Sequence, residues 1–191
     1  MPNWCANTLT LEHEDPAMIE RAKTAFAEGK LLAEFCPVPK ALQIVAGRVG
    51  SDEDPKQIEL KAQTMHNLST YGYATWYDYC VNEWGTKWDV GSDDGINEFT
   101  DTTLVLYFDS AWAPPLAAYK AMEELGFTVH AMYYEPGLCF AGIYEDGFDD
   151  YYEYANLSSE EVADMIPDEL DETFNISEQL ADWEEENENE P

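Results

Sequence analysis

The chain has 191 residues, of which 45% are hydrophobic and 14% aromatic, enough for one domain with a real core and a short extension. Forty acidic and nine basic residues give a net charge of -31, which argues against direct binding to nucleic acid or anionic lipid and favours basic protein partners. No stretch approaches the roughly 18–20 apolar residues of a membrane span, and no signal peptide is evident. The composition therefore predicts a cytoplasmic protein that does not bind membranes.

Chemistry-bearing motifs are absent from the sequence. The four cysteines are far apart, without the spacing of a metal finger, so free thiols are expected. The three histidines fall in unrelated segments, and no phosphate loop, nucleophile elbow or zinc-protease motif occurs. We therefore predict no enzymatic activity, no cofactor and no metal, with weak calcium binding by the acids near residue 146 as an open alternative.

The first 80 residues predict a strand, a helix and an insertion. Residues 4–11 alternate as a strand does. Asp15 before Pro16 is a typical helix start, and Gly29 a typical helix end. Residues 30–80, which begin with a proline-rich segment and continue with helical spacing, are predicted to be an insertion before the second strand.

Residues 84–90 are predicted to form that second strand. Read with a period of two, Trp84 and Trp88 share one face, and each indole can bury roughly 150–250 Å². Stacking of these rings on nucleic-acid bases would need a basic surface, which the sequence lacks. Trp4, Trp84 and Trp88 are therefore predicted to be structural core residues.

The remaining elements of the first 150 residues complete a mixed pattern. Residues 102–108 predict a third strand, 114–125 a helix, and 127–144 a hairpin. The order strand, helix, insertion, strand, strand, helix, strand, strand indicates an α+β, ferredoxin-like fold over residues 1–150. Its antiparallel sheet would carry both helices on one face.

The last part of the chain differs in composition. Residues 151–183 are predicted to be an acidic helical extension that docks on the domain, with Ser158 and Glu161 as a capping box. Residues 184–191 are predicted to be a disordered acidic tail. The apolar side of the last helix could instead dock on a second copy of the chain, which leaves a homodimer open.

Several of these segments resemble a known family. The start Met-Pro-Asn-Trp-Cys-Ala-Asn, the segment Trp-Gly-Thr-Lys-Trp-Asp at 84–89, the segment Phe-Cys-Pro-Val-Pro from Phe35 and the final Phe140-Ala-Gly are similar to the YubB-type ferredoxin-like domain family of plasmid and phage proteins. The resemblance covers roughly residues 1–150. It implies a ferredoxin-like fold and an origin on a mobile element of a bacterial host, and it supplies no catalytic residues.

Charge is the feature that points to a function. Residues 121–191 contain 22 acidic residues and no Lys or Arg. The carboxylates of Glu161, Asp164, Asp168 and Glu172 recur every three or four residues, interrupted only by the helix break at Pro167. Four residues of a helix advance about 6 Å, close to the roughly 7 Å between alternate phosphates of one DNA strand. The candidate partner-binding surface consists of Glu145, Asp146, Asp149, Asp150, Glu153, Glu160, Glu161, Asp164, Asp168, Glu169, Asp171 and Glu172.

Two interpretations of this charge stay open. In the first, the protein is a DNA-mimicking inhibitor that occupies the nucleic-acid site of a basic host protein such as a nuclease, restriction enzyme or repressor. In the second, it is a protein-interaction accessory module of a mobile element, and the acidity serves solubility.

Overall fold

The computed structural model describes residues 3–188. They form an α+β protein built on one six-stranded, fully antiparallel sheet with the strand order β2-β3-β1-β4-β5-β6. The strands are β1 (Trp4–Glu12), β2 (Ile96–Phe99), β3 (Thr103–Ala111), β4 (Thr128–Glu135), β5 (Phe140–Glu145) and β6 (Phe148–Glu153). The helices are α1 (Pro16–Ala27), α2 (Leu31–Phe35), α3 (Pro55–Tyr71), α4 (Trp76–Tyr79), α5 (Leu116–Glu124), α6 (Ser159–Met165), α7 (Asp168–Phe174) and α8 (Ile176–Glu188).

β1 is a strand, as its alternating sequence predicts, and it lies in the interior of the sheet. Leu9 pairs with Leu106 of β3 on one side and with Ala131 of β4 on the other, and all three side chains are buried. Thr8 and Thr10 point to the opposite face, because successive side chains of a strand alternate. One face of β1 therefore supplies the main core.

That core lies between the sheet and the helices α1, α2 and α5. Asp15 begins α1 by accepting a hydrogen bond from the Ala17 N–H at 2.9 Å, as predicted, and Pro16 follows it. Ile19 and Phe26 then pack from α1 onto the same cluster as Val129 of β4. The amphipathic helix is thus fixed at its start by a cap and along its length by apolar burial.

The opposite face of the sheet is covered by the C-terminal helices. Tyr134 of β4 and Ile143 of β5 form a second buried cluster with Val162 of α6, Leu170 of α7 and Ile176 of α8. Alternation along β4 separates this cluster from the one that contains Val129 and Ala131. The helices α1 and α5 therefore share one face of the sheet, as the sequence predicted, and α6 to α8 cover the other face.

The predicted second strand at residues 84–90 is wrong. Cys80–Trp84 continues α4 as a π-helical turn, and Gly85 ends it in the left-handed region at φ 91°. Residues 85–92 are irregular, and the edge strand beside β3 is β2, eleven residues downstream of Gly85. The alternation of Trp84, Thr86 and Trp88 arises from a helix end followed by a loop. Over so few residues, this sequence pattern cannot be distinguished from that of a strand.

Two further predictions need correction at the C-terminal end. Sequence patterns do not predict β6, because all six of its residues are polar or aromatic. Five of them are exposed, as suits an edge strand. Residues 184–188 continue α8 instead of beginning a disordered tail, and residues 189–191 lie outside the described part. Within residues 3–188, no helix combines the length and the apolar character needed to cross a membrane.

Candidate protein-interaction surface

The predicted acidic residues lie on one packed part of the fold, which we call the acidic layer and define as residues 145–186. It comprises β6, the turn before it, and the helices α6 to α8 up to Glu186. Of the twelve predicted carboxylates, eleven are exposed and Asp171 is half-buried. The helices α6 and α7 pack through Val162 and Leu170 on a buried cluster, so their carboxylates project from a folded scaffold.

Three of the twelve carboxylates also have structural partners. Asp149 accepts a hydrogen bond at 2.6 Å from the Tyr133 hydroxyl. Burial, followed by this hydrogen bond, raises the pKa of Tyr133 above its ordinary value. Asp171 accepts from the backbone N–H of Ser177 at 2.8 Å and from its hydroxyl at 2.5 Å, which holds the start of α8. These two side chains are therefore less free than the others to meet a partner.

Glu161 is the third, and it completes the predicted capping box. Its carboxylate accepts the Ser158 N–H at 2.9 Å and the Ser158 hydroxyl at 3.0 Å, while the hydroxyl accepts from the Glu161 N–H. The hydrogen bond from the Ser158 backbone, followed by that from its hydroxyl, lowers the pKa of Glu161 below its ordinary value.

A fourth carboxylate, Glu184, has a structural role that sequence patterns do not predict. Glu184 of α8 accepts hydrogen bonds from the Ser159 N–H at 2.9 Å and the Ser159 hydroxyl at 2.7 Å, at the first turn of α6. The two residues are 25 positions apart, so no local pattern could reveal the pair. The contact fixes α8 against α6 within the acidic layer.

No basic side chain within the acidic layer neutralises it, because residues 121–191 contain no Lys or Arg. Among residues 3–188, the five ion pairs all join residues between Glu20 and Lys61. The negative charge of the layer is therefore presented to the solvent, where it attracts cations over roughly one Debye length, about 8 Å at physiological salt.

The series of carboxylates is interrupted at Pro167, as the sequence predicts. Glu161 and Asp164 lie on α6, whereas Asp168 and Glu172 lie on α7. Between the helices, Ile166 and Pro167 are extended, with ψ of 152° and 142°. The six-ångström repeat therefore holds within each helix but not from one helix to the other. The spacing argument for a run of four alternate phosphates is thereby removed.

The tryptophans predicted to form the core divide into two groups. Trp84 is 5% exposed and donates from its indole Nε1 to the Cys36 carbonyl at 2.8 Å. Trp4 and Trp88 are 48% and 39% exposed, so their assignment to the core is wrong. Their rings contact each other at a centroid distance of 5.9 Å, outside the core clusters.

These exposed rings belong to an aromatic cluster around one lysine. The Lys87 Nζ lies 4.5 Å from the ring centre of Trp88, 5.1 Å from that of Trp112 and 5.7 Å from that of Tyr77. Trp112 is also 39% exposed. Exposed tryptophans concentrated in one place are typical of binding surfaces. No local pattern predicts this cluster, because Trp4, Trp88 and Trp112 lie far apart along the chain.

The described residues show no arrangement that suggests metal binding. No group of three or more His, Cys, Asp or Glu side chains between residues 3 and 188 is placed to hold an ion. Glu145 and Asp146, considered for weak calcium binding, lie at the β5–β6 turn, and Asp149 and Asp150 follow on β6.

Cysteine reactivity is also low in three of four positions. The four thiols are free; Cys5, Cys36 and Cys80 are buried, and Cys139 is half-buried. Burial raises the pKa of Cys5 and of Cys80 to about 12, and it raises that of Cys36 as well. Because the thiolate is the reactive form, these three side chains behave as small core residues.

Comparison with known proteins identifies no family for this chain. No family model matches the chain, and no curated protein matches it. A crystal structure of the protein api92 from Yersinia pseudotuberculosis, described by the family model DUF1281, is similar over 81% of this chain and 99% of its own, at 13% sequence identity and a TM-score of 0.39. A similarity of that size supports no conclusion about fold or function here.

Proposed function

We propose that this chain is a non-enzymatic, acidic binding protein whose acidic layer docks on a basic protein. The partner class that suits this charge is a nucleic-acid-binding protein of a bacterial host, such as a nuclease, restriction enzyme or repressor. Occupation of its nucleic-acid site would make the chain an inhibitor that mimics the charge of DNA. The setting we infer is the bacterial cytoplasm.

One observation carries this proposal: a layer without Lys or Arg presents exposed carboxylates from a packed scaffold. Eleven of the predicted carboxylates are exposed, and those of α6 and α7 lie on helices whose residues Val162 and Leu170 are fully buried. A disordered acidic tail would lose conformational entropy on binding, whereas a folded layer holds its charges in place beforehand. Like charges held close together also lower the stability of the fold. This cost favours a role for the charge beyond solubility.

We further infer that residues 1–150 are a ferredoxin-like domain with added strands. In support, the four strands β2-β3-β1-β4 alternate with α1 and α5 along the chain in the split βαβ order, with β5 and β6 added beside β4. The origin on a plasmid or phage rests on the resemblance to YubB-type domains and stays a prediction.

A second candidate function has its own observation. The exposed cluster of Trp4, Trp88 and Trp112 could anchor a partner through apolar contacts, as in an interaction module that does not mimic DNA. The two modes differ in salt dependence. A complex made through the acidic layer weakens steeply as salt rises, whereas an apolar complex survives near 1 M salt, where the screening length falls to about 3 Å.

The test uses the full chain, because deletion of the extension would expose the apolar face formed by Tyr134, Ala141 and Ile143. A layer variant replaces six exposed carboxylates that have no structural hydrogen bond by their amides. They are Glu145, Asp150, Glu153, Glu160, Asp164 and Glu172. The matched control neutralises six exposed carboxylates elsewhere, namely Glu12, Glu14, Glu53, Glu59, Asp93 and Asp101.

Both variants and the native chain are immobilised and exposed to bacterial lysate in low salt, and the bound proteins are identified. We expect native chain and control to retain the same nucleic-acid-binding proteins and the layer variant to lose them. Equal retention by all three chains would contradict a role for the acidic layer and would favour the aromatic cluster.

A further inference from the structure

Two cavities lie side by side at the aromatic cluster, with Trp88 and Asp89 in the walls of both. The first, of about 390 Å³, is also lined by Lys87, Trp76 and Trp84. The second, of about 370 Å³, is lined by Trp4 and Asp109 and by no basic side chain. We call the second the Trp4 cavity. Its aromatic walls and its charge differ from those of its neighbour.

Asp109 supplies a free negative charge to the Trp4 cavity. The side chain is exposed and, among the residues that the structure describes, makes no hydrogen bond or ion pair. Asp89 is different, because its carboxylate already accepts the N–H groups of Leu32 at 2.7 Å, Ala33 at 3.0 Å and Val90 at 2.9 Å. Asp109 is thus the acceptor available to a ligand.

A cavity lined by two exposed indoles and one free carboxylate is complementary to a cation with a flat apolar face. Tryptophan is the aromatic side chain that attracts cations most strongly, and arginine is the cation most often found on it. The guanidinium stacks on a ring and also donates two parallel hydrogen bonds to one carboxylate. Lys87 shows that Trp88 already holds a cation on the side of the first cavity.

We propose that the Trp4 cavity binds an arginine side chain of a partner protein, with the guanidinium against Trp4 or Trp88 and paired with Asp109. The arginine would belong to the basic partner, and in that respect the inference rests on the function proposed above. It adds a specific anchor on a second surface to the acidic layer, which attracts any positive charge. Such anchors, rich in Trp and Arg, dominate the affinity of protein interfaces.

The test requires no partner. N-acetyl-arginine amide is titrated into the full chain with ¹⁵N-labelled tryptophan, and the indole N–H resonances are followed by NMR. N-acetyl-citrulline amide, which has the same shape without the charge, is the control ligand. We expect the resonances of Trp4 and Trp88 to shift and saturate with the arginine derivative. The citrulline derivative should bind about threefold to tenfold more weakly, because it loses a partly exposed cation–π contact and an ion pair.

Two variants locate the site. Asp109→Asn should weaken arginine binding about threefold or more and leave citrulline binding unchanged, whereas Asp101→Asn, an exposed charge outside the cavity, should change neither. Trp4→Leu should abolish the saturable shift of Trp88. Amide spectra establish that each variant is folded.

Equal binding of arginine and citrulline, equal effects of the two aspartate variants, or shifts of the same size at the remote Trp183 would overturn the inference. A lysine derivative that binds as tightly as arginine would overturn the preference for guanidinium. Because no partner protein takes part, these results stand whether or not the acidic layer binds a basic protein.

Discussion

Single carboxylates in the acidic layer have two different roles. Glu161 and Asp171 each satisfy N–H and hydroxyl groups of serines at helix starts, and Glu184 does the same across two helices. Neighbours such as Glu160 and Asp164 have no such partner. The first group holds the scaffold together, and the second is free to meet a partner, so substitutions in the two groups should affect different measurements.

Glu161→Gln tests the structural role through pH. Because the pKa of Glu161 is lower in the folded chain, its stabilising effect is fully present above the ordinary glutamate pKa of 4.5 and is lost as the pH falls through the folded value. We expect the variant to be less stable than the native chain to urea at pH 7, with the difference shrinking below pH 4.5. Glu160→Gln, one residue earlier and without a structural partner, should show no such pH-dependent difference.

Gly85 tests the turn that replaces the expected strand. A Cβ at this position would lie 3.0 Å from the Pro114 carbonyl oxygen, and the backbone has φ 91°. Gly72 is left-handed as well, at φ 80°, but a Cβ there meets nothing within 4 Å. Gly72→Ala should therefore cost about 1–2 kcal/mol of unfolding free energy for its backbone conformation alone.

Gly85→Ala should cost about 1–3 kcal/mol more than Gly72→Ala, since rigid backbone obstructs its methyl group. Urea denaturation of both variants measures the difference. If the two variants lose the same stability, the close contact between residue 85 and the start of α5 is not as described.

At the scale of elements, the helices α6 to α8 are each short or polar and depend on the sheet. α6 and α7 have seven residues each, too few to be stable alone, and each buries one side chain fully, Val162 and Leu170. Together with Ile176 these side chains cover Ile143 and Tyr134 of the sheet. The acidic layer is therefore held by a few apolar contacts under a strongly charged surface.

Leu170→Ala should consequently loosen the whole layer. Removal of a fully buried leucine costs about 2–5 kcal/mol, and the exposed Met165→Ala should cost about 1 kcal/mol or less. Amide hydrogen exchange measures where the loss occurs. We expect faster exchange across α6, α7 and the start of α8, with little change in β1. Uniformly faster exchange in every element would show instead that the layer and the sheet unfold as one unit.

Sequence patterns predicted those elements whose signals are local. The Asp15-Pro16 start of α1, the alternation of β1 and the capping box of α6 each involve residues within a few positions, and the structure contains them. The loop at Trp88 was missed because alternation over seven residues fits a strand and a helix end equally well. The Glu184–Ser159 contact and the Trp4–Trp88 contact join distant residues, and nothing local indicates them.

At the scale of the whole molecule, charge and packing are arranged in different places. The basic residues that form ion pairs lie between Arg21 and Lys61, whereas the acidic layer contains no basic residue. The aromatic cluster, with its exposed tryptophans, is a second and chemically different surface. A partner that used both surfaces would combine salt-sensitive attraction with a localised anchor. The acidic layer would then mainly determine its association rate, and the aromatic cluster its residence time.

Competition with DNA on an identified partner tests the central claim most directly. A nucleic-acid-binding protein retained by the native chain is held at fixed concentration, and its complex with the chain is titrated with duplex DNA. The account predicts mutually exclusive binding, with an affinity for the chain that falls steeply with salt and is lost in the layer variant but not in the control variant. A ternary complex with DNA, or an affinity insensitive to both salt and the layer substitutions, would contradict it.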